Sequence, residues 1–350
     1  MPAQLVTGTT PDRCSAGILP NAASLTLMRD GKAFGSFYAD ATPEAAGDML
    51  RKVTDVLRPS ILPTDEIRLS GSFKLGQTYA FLFPSCTISG NGPGATVLHT
   101  AYKIDGTGLP PNETKPVGTP GFIVGAGTTT IQDLTLVNEC YDKNDDGGLL
   151  GNNIASNLTL NVRRCVLDGR KNCDWVLYSW SGGTKTIAVE DCDLYFARQG
   201  IALCGTGSAT AHKATVRRNR FFGDANGSTS FGDSSNAKPG EEWGVLSGIV
   251  LRAGSLLAED NEFWLTGLSK PYDLREKPEW GCTRMACITD EYWKPGRSDG
   301  GANLRHNITR QMTPGISKQF YDYDFRSIKP TITGVGSNPD GTYKTFSAVK

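Results

Sequence analysis

The chain has 350 residues and no net charge, with 36 basic and 36 acidic side chains and no basic block, which speaks against a nucleic-acid partner. No run approaches 18 apolar residues, so nothing reads as a membrane span. Gly 41 and Pro 19, set between short valine- and isoleucine-rich runs, predict an all-β chain of many turns, and a solenoid fits this length into one elongated domain.

The first stretch, Met1 to Ser24, lacks the basic flank and apolar core of a secretory signal. The expected location is therefore a cytoplasm, or a virion released by lysis. Nine cysteines, an odd number, with no Cys-x-x-Cys and no histidine pair at ligand spacing, are expected to be reduced and to hold no zinc.

From Thr42 to Pro59 the sequence predicts one helix. Thr42 caps it, Pro43 suits its first turn, and Pro59 ends it. Ala46, Met49, Leu50, Val53, Val56 and Leu57 form its apolar face. Lying just before the first strand, Glu66 to Leu69, the helix is expected to cover the open end of a stack of strands.

Beyond it one short phrase is written six times: Ile131-Gln-Asp-Leu134, Val162-Arg-Arg-Cys165, Val189-Glu-Asp-Cys192, Val216-Arg-Arg-Asn219, Ala258-Glu-Asp-Asn261 and Leu304-Arg-His-Asn307. Repetition at 27 to 46 residues marks coils that bury their apolar face by stacking. Stacked in order, the first polar position runs Gln132, Arg163, Glu190, Arg217, Glu259, Arg305 and the second Asp133, Arg164, Asp191, Arg218, Asp260, His306. The charges alternate in sign, so correct register sets opposite charges side by side, each exposed pair contributing about 0.2–1 kcal/mol.

Ile67 to Leu75, Cys86 to Leu98 and the Val-x-x-Asn-x-Phe phrase at Val216 to Phe221 resemble the opening coils and asparagine ladder of right-handed parallel β-helix proteins of the pectate-lyase-like superfamily. The resemblance covers about Glu66 to Thr309. It implies a single-stranded right-handed parallel β-helix of three strands per coil, with the ladder residue between the second and third strands. First strands are then expected near Trp175 to Trp180, Gly200 to Cys204, Gly248 to Arg252 and Cys287 to Tyr292. The resulting domains are 1–64 (N-terminal segment and capping helix), 65–312 (β-helix) and 313–350 (C-terminal cap or assembly segment). The insertions Gly223 to Val245 and Thr266 to Ala286 overhang the first strands, and long connections on a repeat scaffold usually mark its binding side.

Candidate site residues gather there. Trp175, Trp180, Trp243 and Trp280, with Arg252, are the candidate sugar contacts, since indole rings stack on sugar faces; packing as small cores under the loops is the competing reading. Asp142, Asp145 and Asp146 lie in an acidic turn that suits calcium, an acid and base pair, or simply solvent. Asp145, Asp174, Arg198 and Glu242 form the candidate catalytic set, a cation to neutralise a uronate carboxylate and a base for the adjacent proton.

The Gly-His-Gly, Asp-Pro-His and Arg-x-Pro-x-x-Arg segments of the family's enzymes are absent. The expected function is accordingly a β-helical surface protein that engages polysaccharide, a tailspike-like or capsid-decoration component of a virion, assembled by resemblance as a homotrimer with other virion proteins as partners. A polysaccharide lyase or glycoside hydrolase working in the groove is the alternative. A structural module without a glycan ligand is the third reading.

Overall fold

The computed structural model describes residues 23–39, 42–77, 81–102, 121–138, 148–152, 157–169, 175–180, 183–204, 212–227, 245–267, 269, 284–290, 299–313, 315, 319–325 and 328–333. These residues form an all-β structure of long parallel sheets with one α-helix and two short 3-10 turns. From Phe81 onward the chain visits three parallel sheets in a fixed order. Phe122–Val124, Gly148–Asn152, Trp175–Trp180, Gln199–Cys204, Val245–Leu251 and Arg284–Asp290 stack in the first sheet. Gly127–Gln132, Leu158–Arg163, Lys185–Glu190, His212–Arg217, Ala253–Glu259 and Asp299–Arg305 stack in the second. Thr135–Asn138, Val166–Asp168, Asp193–Phe196, Arg220–Asp224, Glu262–Thr266 and Ile308–Thr313 stack in the third. The predicted first strands fall in the first sheet, Trp175–Trp180 with the predicted bounds and the other three with ends shifted by up to three residues.

The written phrase forms the bend between the second and third sheets. Its apolar residue, Ile131, Val162, Val189, Val216, Ala258 or Leu304, is fully buried, as is the residue two places past the ladder position in Leu136, Leu167, Leu194, Phe221 and Phe263. The second polar position does more than carry charge. Asp133, Arg164, Asp191, Arg218, Asp260 and His306 all adopt φ between 50° and 58°, the left-handed region that side chains seldom enter. That conformation turns each N–H onto the coil above: Arg164 N donates to Glu190 O at 3.1 Å and Asp191 N to Arg217 O at 3.1 Å.

Inside the bend, Cys165, Cys192, Asn219, Asn261 and Asn307 form one buried file. Cys192 N donates to Asn219 Oδ1 at 2.9 Å, and Asn219 Nδ2 donates to Val189 O at 2.8 Å and to Asn261 Oδ1 at 3.0 Å. Asn261 repeats the pattern with Val216 O and Asn307 Oδ1. Buried backbone groups at the corner thereby keep partners. Outside, the alternating charges meet as expected: Arg164 grips Asp133 through two bonds of 2.6 and 2.7 Å, Arg218 grips Asp191 through two of 2.7 and 2.8 Å, and Arg217 bonds Glu190.

The start of the stack is closed by two elements. Strands β1 (Ala23–Arg29) and β2 (Lys32–Ala39) form a hairpin, and β1 pairs antiparallel with the strand Glu66–Gln77 from Ser24–Ser70 to Met28–Glu66. Helix α1 (Pro43–Leu57) packs beside them; Thr42 Oγ1 accepts from Ala45 N at 3.1 Å. Ala46, Met49, Leu50 and Val53 are buried as the spacing predicts, whereas Val56 is 75% exposed. At 100° per residue Val56 lies about 80° off the centre of the stripe, so the packed face misses it.

At the other end the stack continues beyond the last phrase. Gln319–Asp324 lies over Arg284–Thr289 in the first sheet, and Thr331–Thr333 over Asn303–Arg305 in the second.

Candidate functional site

Residue Trp175 opens the first-sheet strand Trp175–Trp180 at the corner where the third sheet turns into the first. Its half-buried ring stacks on Tyr178, centroids 4.6 Å apart and planes 29° apart. Its Nε1 donates to Gln199 Oε1 at 2.7 Å, and Gln199 is its register partner in the next coil. Two neighbours on rigid strands thus set the orientation of the indole.

Arg198 immediately precedes the strand Gln199–Cys204, at the same end of the sheet as Trp175. It is buried, and its carbonyl accepts from Ser247 N at 2.9 Å. Arg252, also buried, follows Val245–Leu251 at the opposite end, where its N–H donates to Leu203 O at 2.9 Å. Trp175 and Arg198 therefore share one end of the first sheet and Arg252 belongs to the other. The backbone of Trp180 pairs with Cys204. Asp142, Asp145, Asp146, Asp174, Glu242, Trp243 and Trp280 lie outside the described residues.

Three further groups were not picked out in the sequence. The first is a file of rings on the outer side of the third sheet. Tyr195, Phe222 and Trp264 stack at 4.8 Å and 4.8 Å with planes within 18°. Each stands three places past its ladder residue, a signal that was available in the repeat. Because the rings cover one another's faces, they present edges to solvent and make a poor sugar platform. Arg220 flanks them, bonded to Asp193 and lying 6.0 Å over Phe222.

The second is Asp322, buried in the strand Gln319–Asp324. It accepts from Thr309 Oγ1 through Oδ1 while Oδ2 has no partner, and desolvation raises its carboxyl above the ordinary range. The third is Lys185 with Asn152 and His212 at the corner between the first and second sheets.

Cys86, Cys165, Cys192 and Cys287 are buried free thiols. Burial pushes Cys86 up to about 12 and raises Cys192 and Cys287 well above the usual thiol value, which leaves them inert as nucleophiles. Among the described residues no three His, Cys, Asp or Glu side chains gather in a way that could hold a metal ion, and no helix is long and apolar enough to cross a membrane. Comparison with known proteins finds no matching family model, no matching curated protein and no matching solved structure.

Proposed function

We propose that the chain is a right-handed parallel β-helix of the pectate-lyase-like kind, a rigid surface protein of a virion that engages polysaccharide along the first sheet. The cyclic order of the three sheets supports the coil, and the near-universal right-handed sense of parallel crossovers supports its hand. The observation that carries the functional part is Trp175. A half-buried indole whose angle is set by Tyr178 and Gln199 is a preorganised platform for a sugar face. In sequence the long connections 228–244 and 270–283 join the third-sheet strands to the first-sheet strands that stack above it, the usual side for binding loops on a repeat scaffold.

The test is a panel of anionic and neutral polysaccharides, assayed both for binding and for new reducing or unsaturated ends. Wild-type protein is expected to bind at least one member without generating ends. Trp175→Ala should weaken that binding by about tenfold or more, the loss of one oriented aromatic contact, with an unchanged circular dichroism spectrum. Absence of binding across the panel would remove the glycan reading. New ends would make the protein a lyase or hydrolase, and alanine at Asp145, Asp174, Arg198 and Glu242 would then locate the chemistry.

A further inference from the structure

Two side chains able to react with each other are buried together at the corner between the first and second sheets. Lys185 opens the strand Lys185–Glu190 and is 0% exposed, while Asn152 ends the strand Gly148–Asn152 and is 1% exposed. They stand 33 residues apart in the chain, yet Lys185 Nζ donates to Asn152 Oδ1 at 2.7 Å. With a C=O bond of about 1.23 Å, that contact sets Nζ about 3–4 Å from the carboxamide carbon Cγ, close to the separation from which bond formation starts. The other half of the carboxamide is fixed as well. Asn152 Nδ2 donates to Val124 O at 2.6 Å on the neighbouring strand, so the amide plane is held with Oδ1 turned to the lysine. Lys185 makes further contacts besides this bond; what matters chemically is the carboxamide carbon held beside its amine.

A base stands next to the pair. His212 is the register partner of Lys185 on the next strand, about 4.8 Å away by backbone spacing. It is buried, and its Nε2 has no hydrogen-bond partner. Desolvation holds the Lys185 amine and the His212 ring below their ordinary values, with the Lys185 charge a second cause at His212. The corner therefore favours a neutral amine, which is the nucleophilic form, and a neutral imidazole, which accepts a proton.

We propose that Lys185 and Asn152 join in an intramolecular isopeptide bond, with His212 as the proton carrier. The lone pair of the neutral amine adds to Asn152 Cγ, and the carbonyl π pair moves onto Oδ1. His212 Nε2 takes one proton from Nζ and passes it to Nδ2. The Cγ–Nδ2 bond then breaks, the carbonyl re-forms and ammonia leaves. One amine and one primary carboxamide become one secondary amide and one ammonia, so the step needs no oxidant, reductant or co-reactant. The bond ties the first sheet to the second and restricts the unfolded chain as other cross-links do. The site is separate from Trp175 and does not rest on the glycan reading.

The test is mass spectrometry of the full chain, folded and held at neutral pH until its mass is constant. The intact chain should be lighter than its sequence by one ammonia. Trypsin should fail to cut after Lys185, and fragmentation should show a branched peptide that joins Lys185 to Asn152. Lys185→Arg, which keeps the charge, and Asn152→Ala should each restore the full mass. His212→Phe, which keeps the ring volume, should slow the reaction by about a hundredfold, the usual contribution of a general base. The wild-type digest decides the matter even if a variant fails to fold. Full mass with normal cleavage after Lys185, a loss of ammonia confined to Asn152 as a cyclic imide, or a loss that persists in Lys185→Arg would each overturn the bond; an unchanged rate in His212→Phe would overturn the part given to the histidine.

Discussion

At Asn219 three coils meet in one side chain. It accepts the buried N–H of Cys192 and donates to Val189 O and Asn261 Oδ1. Asn219→Leu keeps the volume and strands the Cys192 N–H and the Val189 carbonyl, each at about 1–3 kcal/mol. A thermal melt should show its midpoint several degrees below wild type, while Asn219→Cys, the residue that already fills this place at 165 and 192, should lose less. Asp322 behaves in the opposite sense. Its folded pKa lies above the ordinary carboxyl value, so wild-type stability falls as pH rises from that ordinary value through the raised one. Asp322→Asn retains an acceptor for Thr309 and carries no charge. It should therefore be more stable than wild type at pH 7 in denaturant titrations, with the gain vanishing as pH drops below the carboxyl range. The ladder was legible because Cys and Asn recur at fixed offsets from buried aliphatics. The burial of Asp322 and Lys185 was not, because a carboxylate or ammonium in sequence looks the same whether it faces water or the inside of a coil.

Among the elements, α1 was readable from its cap, its proline and its apolar stripe, all of them local features. What seats it is Gly47. A Cβ on Gly47 would collide with the carbonyl of Lys74 in the strand Glu66–Gln77, so the helix lies directly against that backbone. Gly47→Ala would raise intrinsic helix propensity by about 1 kcal/mol, yet it is expected to lower the unfolding midpoint because the helix must lift off the strand. A midpoint at or above wild type would mean that the close approach contributes nothing. The hairpin of β1 and β2 carried its own signal in Asp30-Gly31, which adopts φ of 50° and 74°, flanked by alternating apolar residues in β1. Its pairing with Glu66–Ser70 depends on a strand some forty residues away, beyond the reach of any local pattern.

For the whole molecule, the recurrence of the phrase translated into three long parallel sheets because each copy turns the chain at the same corner. Where the phrase stops the stack does not: Gln319–Asp324 and Thr331–Thr333 still pair with the strands below, though the phrase is not written again after Asn307. Backbone pairing requires a matching strand and no particular side chain, so the stack outlasts its own sequence signature. Of the proposed binding face, Trp175 and Arg198 are set at one end of the first sheet, and Arg252 at the other. The repeat assigns residues to strands and faces, but neighbours in space here lie 24 to 49 residues apart in the chain. By itself the sequence determined the parallel stacking of the repeated strands, their inward file and the alternation of charge, because these follow from residue type at a regular offset. Only the tertiary structure decided that the charged corner residues adopt a left-handed backbone, that Gln199 orients Trp175, and that Lys185 and His212 are buried as register partners, since each depends on what the adjacent strand places against it.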